Sequence, residues 1–394
     1  MTCFHWENNR CLRSEPSPQT FHVFPASFLL DKANAQMRSI QRLIALSILI
    51  SACVCTGPSQ ILRQGRVPVI SQQIVFMMPV GGATVPPGPA SGIYEIAVMN
   101  LDGSGFRQLT NDGTFKFLPH FSPDASSIAY TKFLVGEYGA PNAVMDIAVY
   151  NILSRTESVI THQGDDANST WSPTGTRIAY LNVSQPTTIW TVDPDGSNPQ
   201  KVASSSGAID DLQWGDLAWS SDDWILFSVA QNVDGCFKVR TDKIRPDGSS
   251  RTQVTDGGPN CTPAGFEQSG DADPGWSSDA KTIYSSRGFP VPPANGPPGS
   301  TKRKLYAFSS DAWYPGKPEI DLSLPSEPSC IEGVPKGSPD GEHVLLFRIC
   351  FDSPTPKGGI YITDAAGSYR TFIVEGFGPD WAPRRSEREI LHRR

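Results

Sequence analysis

The sequence predicts an all-β chain: a six-bladed β-propeller of four-stranded antiparallel blades, closed by its N- and C-terminal strands. Three observations predict it. A theme of aromatic-Ser-Pro, a turn, two apolar runs and Asp-Gly-Ser recurs along the chain. Its anchors (Phe121, Trp171, Trp219, Trp276, Gly337 and Trp381) stand about 50, 48, 57, 61 and 44 residues apart, which is the period of propeller blades rather than of helical solenoids. The 35 Gly and 35 Pro, with 19% charged residues, suit many short strands joined by tight turns.

The N-terminal region reads as an export signal. From Met37 the chain runs through Arg38 and Arg42 into the apolar stretch LIALSILI and then Ser51-Ala52-Cys53. Basic residues, an apolar run too short to span a bilayer and small residues before a cut describe a secretory signal over 37–52. Ile50-Ser51-Ala52-Cys53 resembles a bacterial lipobox, so Cys53 is expected to be acylated. An ordinary signal peptide that happens to contain a cysteine is the plainer alternative. Residues 1–36 carry no helical or strand period, and Met37 is expected to be the true start, with 1–36 an upstream mistranslation. Residues 53–71 are expected to form a linker, 72–383 the propeller and 384–394 a charged tail. The formal charge of −7 argues against nucleic acid as a partner.

Within each unit four strands follow in order. The inner strand ends at Phe121-Ser122-Pro123-Asp124, Trp171-Ser172-Pro173, Trp219-Ser220-Ser221-Asp222, Trp276-Ser277-Ser278-Asp279, Gly337-Ser338-Pro339-Asp340 or Trp381-Ala382-Pro383, where Pro, Asp and Gly set a tight turn. The second strand is the apolar run that follows, such as Ile128-Ala129-Tyr130, Ile178-Ala179-Tyr180 and Val344-Leu345-Leu346-Phe347. The third alternates with period two, as in Ile93–Met99, and stops at Asp102-Gly103-Ser104, Asp195-Gly196-Ser197 or Asp247-Gly248-Ser249. The outer strand ends in Leu109-Thr110 or Val254-Thr255. Gln72–Phe76 reads as a second strand with no inner strand before it, and Phe377–Trp381 as an inner strand with nothing after it. Together they complete one blade and leave no open sheet edge.

These elements resemble the WD40-like repeats of TolB-type six-bladed propellers, over residues of about 72–383. The resemblance implies the propeller fold and an envelope protein as partner. TolB itself carries a further α/β domain ahead of its propeller and is a soluble periplasmic protein. This chain is expected to be a lipidated relative without that domain.

Cys236, Cys261, Cys330 and Cys350 fall into two sequence-local pairs. Export and locality favour disulfides Cys236–Cys261 and Cys330–Cys350, each closing a loop of about 20–25 residues. Long Pro-rich segments at 79–92, 133–144 and 288–300 are expected on one face, opposite the tight turns. Carboxylates gather just before the inner strands: Asp165, Asp166, Asp210, Asp211, Asp216, Asp271, Asp273, Glu332 and Glu375. They are expected to form an acidic ring at the channel mouth, able to attract a divalent cation or a basic segment; taken singly, each is an ordinary solvated loop carboxylate. No other cofactor is expected. His120 and His162 could meet Asp165 there as metal ligands, although no sequence spacing requires it. Trp171, Trp219, Trp276 and Trp381 read as core packing.

No nucleophile elbow or phosphate-cradling glycine loop is present. The expected function is a non-enzymatic, monomeric protein-binding module or scaffold, lipid-anchored at the cell or outer membrane of a bacterium. The alternative is a propeller enzyme, a lyase or hydrolase acting on carbohydrate or peptide fragments with a bound metal.

Overall fold

A computed structural model describes residues 72–383, except 84–91, 138, 206–209, 213–214, 234–235, 260–261, 264–268, 291–300, 325–329 and 352–357. The expected signal, Cys53, the Cys236–Cys261 pairing and much of the Pro-rich loops lie outside the described residues. Every regular element among those residues is a β-strand, and the arrangement is that of a β-propeller.

Four sheets have the expected four strands each. One joins Phe377–Trp381, Gln73–Pro79, Tyr94–Asn100 and Arg107–Gln108. The C-terminal strand therefore pairs with the first, Ile74 facing Trp381 and Met77 facing Phe377. The next two sheets begin with Lys116–Phe121 and Asp166–Trp171, and another begins with Cys330–Gly337. The region between differs from expectation, because ten strands merge into one sheet. Two antiparallel sets are joined there by a short parallel pairing of Lys238 with Ser269 and Val239 with Gly270. The glycine permits it: a Cβ on Gly270 would lie 2.1 Å from the Val239 carbonyl oxygen.

The sequence pattern explains the packing. Along the second and third strands buried, mostly apolar residues follow one another almost without a break, so each sheet offers apolar side chains on both faces. The clusters accordingly form between neighbouring sheets. Val75, Ile96 and Val98 meet Phe121, Ile128 and Tyr130, while Leu181 and Ile189 meet Ile225 and Phe227. Each such buried side chain contributes about 1.5–3 kcal/mol.

The Leu-Thr ending of the outer strand is a latch. The hydroxyl oxygens of Thr110, Thr161 and Thr255 accept the backbone N–H groups of Ile96, Ile147 and Thr241 at 2.9, 2.9 and 3.0 Å. The Thr110 hydroxyl also donates to Glu95 at 2.5 Å, and that of Thr161 to Asp146 at 3.2 Å. Cys330 and Cys350 face each other across antiparallel strands and form a disulfide.

Candidate functional site

Each inner strand that can be followed carries one extra residue opposite its partner. The register slips between Phe117 and His120, Ala167 and Thr170, Ala272 and Gly275, and Gly333 and Lys336. The inserted residue adopts a left-handed backbone: φ is 46° at Leu118, 54° at Asn168, 49° at Asp273, 50° at Val334 and 55° at Gly378. Such β-bulges re-aim side chains. Proline follows at Pro119, Pro274, Pro335 and Pro379, where a missing N–H costs the ladder nothing.

The residues after the bulge converge. His120, Thr170, Ala218, Gly275, Lys336 and Asp380 all line one cavity of about 210 Å³, whose far end is formed by turn residues such as Pro123 and Pro173. A second cavity of about 310 Å³ is lined by the bulge positions Leu118, Asn168, Asp273 and Val334, with Arg303 and Phe377.

Asp216 ties the two groups of residues together. Its carboxylate is fully buried, lies 3.1 Å from His120 Nε2 and is paired with the Lys336 ammonium. Its backbone N–H donates to Asp273 Oδ1 at 3.2 Å. Burial alone would raise the Asp216 carboxyl, but the cations of Lys336 and His120 hold it down at about 2. Burial opposes a charged imidazole at His120; the Asp216 charge, with hydrogen bonds from the ring to Asp216 and Asp380, outweighs burial and Lys336 and raises it above its ordinary value. Asp273 is pushed up by burial, with Arg303 opposing and Asp216 adding to the push.

The expected acidic ring is not one ring. Asp271 is fully buried and gripped by Arg287, at 2.6 Å to Nε and 2.9 Å to the second guanidinium nitrogen. Glu332 is buried between Arg348 and Arg370, which reach it at 3.2 and 2.6 Å. Asp166 is buried against Asn182 Nδ2 at 2.7 Å, and burial raises its carboxyl. Asp165 is half-buried and accepts from Ser184 Oγ at 3.1 Å, and Glu375 is exposed, near Tyr94. Asp210 and Asp211 lie opposite Gln231 and Ala230 in a short strand, and their side chains are outside the described residues. Among the carboxylates whose side chains are described, Asp216 and Asp273 join the central cluster. A carboxylate that starts an inner strand faces the neighbouring strand, and its pairing partner there decides its fate.

The histidine expectation also changes. His162 is exposed, whereas His120 is buried with Asp216 and Asp380. Sequence reasoning missed Lys336 and Asp380 altogether. The available signal was the proline two residues before Phe121, Trp276, Gly337 and Trp381, which marks the bulge and hence the channel position.

The tryptophans do more than pack. Trp171, Trp276 and Trp381 donate their indole N–H to the carbonyls of His120, Ala218 and Lys336 on neighbouring inner strands, at 3.1, 3.1 and 2.9 Å. Trp219 instead bonds Asp223 in its own turn at 2.8 Å. Phe121 has no indole, and its backbone N–H donates to Asp380 Oδ2 at 3.0 Å.

No family model matches the chain. A TolB homologue from Chlorobium luteolum is 28% identical over 146 residues, 37% of this chain and 30% of that protein. The Tol-Pal system protein TolB of Wolbachia pipientis wMel is 36% identical over 69 residues, 18% of this chain and 15% of that protein. The matches thus span less than a third of these relatives. Among solved structures, TolB from Acinetobacter baumannii aligns with a TM-score of 0.56 at 18% identity, covering 80% of this chain and 68% of that one. Hydrazine synthase of Kuenenia stuttgartiensis also aligns with a TM-score of 0.56 at 15% identity, covering 80% of this chain and 48% of that one. The described part of the chain has a β-propeller fold similar to that of TolB.

Proposed function

We propose that the chain is a closed six-bladed propeller that works as a non-enzymatic protein-binding module of a bacterial envelope. In this reading the pairing of Gln73–Pro79 with Phe377–Trp381 closes the ring, and the ten-stranded sheet holds two blades. The observation that carries the functional reading is the match to a TolB homologue over 146 residues. Matches to proteins named for the Tol-Pal system support binding over the propeller-enzyme alternative.

The partner is a protein of the envelope, and its contact is with the long-loop face. The second cavity opens among bulge residues on that side, with Asp273 and Arg303 offering opposite charges to a docked segment. Charge of this kind steers and orients a partner more than it tightens it. Acylation at Cys53 supplies the anchor, acting with further contacts to the envelope.

The test is direct binding of residues 53–394 to the purified peptidoglycan-associated protein of the source organism on a biosensor. A saturable, one-to-one signal that weakens in Asp273→Asn/Arg303→Ala supports the reading. No binding at protein concentrations that reveal micromolar complexes removes this partner.

A further inference from the structure

We propose that Asp340, Glu342 and His343 form a binding site for a divalent transition-metal ion of the zinc class, on the tight turn after the inner strand Cys330–Gly337. One ligand atom from each of the three can be chosen so that all lie within 4.8 Å of one another. The independent pointer is the imidazole. His343 is 7% exposed, and its Nδ1 is buried with no hydrogen-bond partner among the described residues. That nitrogen faces Asp340 Oδ1 at 3.8 Å, too far for a hydrogen bond. Donor atoms sharing one ion through bonds of about 2.0 Å sit roughly 3.3 Å apart, so a small closure of side chains completes the set.

The turn itself uses Asp340, whose Oδ1 accepts from Ser338 Oγ and from the Glu342 N–H, but it does not need the side chains of Glu342 and His343. Ser338 Oγ accepts the His343 N–H at 2.9 Å. The same bond forms from Ser127 to Ser122, Arg177 to Ser172 and Thr282 to Ser277, at 2.9, 3.0 and 2.9 Å. The positions of Glu342 and His343 are there filled by Ser126-Ser127, Thr176-Arg177 and Lys281-Thr282. A carboxylate and an imidazole at this turn therefore answer to something other than the backbone.

The donor chemistry sets the ion. One imidazole nitrogen with two carboxylates suits Zn²⁺ and its neighbours better than Ca²⁺ or Mg²⁺, which prefer oxygen alone. Glu342 is exposed, so the ion has a path from solvent and keeps positions for water. The site lies apart from the Asp216 cluster and does not depend on the proposed partner.

The test uses the whole chain, thiols blocked with iodoacetamide and metal removed by chelation, titrated with Zn²⁺ by equilibrium dialysis. One Zn²⁺ per chain is expected. Glu342→Gln, an exposed change, should weaken binding by at least about tenfold, the loss that removing even an outer-shell partner can cause. His343→Gln should abolish it, with circular dichroism confirming the fold. X-ray absorption should show an imidazole and oxygen shell. Zn²⁺ affinity unchanged in Glu342→Gln overturns the proposal, as does the absence of stoichiometric binding.

Discussion

His120 Nε2 lies 3.1 Å from Asp216 Oδ1 although 96 residues separate them in the chain. Asp216 is completely buried, and its second oxygen is held by Lys336, a further 120 residues on. His120 and Lys336 come from different sheets and Asp216 from the segment just before Ala218–Trp219, so this cluster ties distant parts of the chain together at the channel. Removing one member leaves a charge in a place built for a pair.

Lys336→Met should therefore destabilise the protein by about 3–5 kcal/mol. The double variant Lys336→Met/Asp216→Asn should recover more than half of that loss, because the stranded carboxylate is gone. Urea unfolding of the three proteins measures both quantities. A single-variant cost below about 1 kcal/mol, the value of an exposed pair, would contradict the burial argument.

The same cluster makes stability depend on pH. The folded His120 titrates above its ordinary 6.5, so its contribution is complete below about 6.5 and is lost as pH rises through the raised folded value. Asp216, held at about 2 in the folded protein, contributes fully above its unfolded value and loses that contribution as pH falls towards about 2. Urea midpoints measured from about pH 5 to about pH 9 should decline on the alkaline side. His120→Gln should flatten that decline, and an equal slope in the variant would rule out His120 as its source.

The indole bonds give a paired comparison. Trp381→Phe leaves the buried Lys336 carbonyl without its donor and should cost about 1–3 kcal/mol. Trp219→Phe removes a bond to Asp223 within an exposed turn and should cost less than half as much. Equal losses in thermal or urea unfolding would reduce all four tryptophans to packing alone.

Gly275 reports how closely neighbouring inner strands approach. A Cβ there would lie 2.1 Å from the Pro335 carbonyl oxygen, whereas at Gly333 it would meet Ser286 Oγ at an ordinary 3.7 Å. Gly275→Ala should cost about 1–3 kcal/mol by overpacking, while Gly333→Ala should stay within about 0.5 kcal/mol. The melting temperatures of the two variants decide the matter.

Much of the fold was legible because its signals are local and repeated. Asp-Gly-Ser marks a hairpin where Gly103, Gly196 or Gly248 supplies a positive φ, 82°, 87° and 82°. The pairing of Gln73–Pro79 with Phe377–Trp381 was readable for a related reason: each end showed half of a sheet. The merged ten-stranded sheet was not, since a two-residue parallel contact depends on how near two chains come. Cys330–Cys350 followed from locality.

The channel was hidden because its residues look unrelated along the chain. His120, Thr170, Gly275, Lys336 and Asp380 share no chemistry, only a place two residues past the inserted residue of a bulge, and Ala218 joins them in lining the cavity. Carboxylates suffered the opposite error: Asp166, Asp271 and Glu332 look alike in sequence, yet each meets a different cross-strand neighbour, Asn182, Arg287 or Arg348. By itself the sequence determined the strands, turns and latches, whose energetics lie within a few residues. Tertiary structure alone decided which charges meet, because a buried ion pair is set by distance and desolvation, and neither is written in the order of the residues.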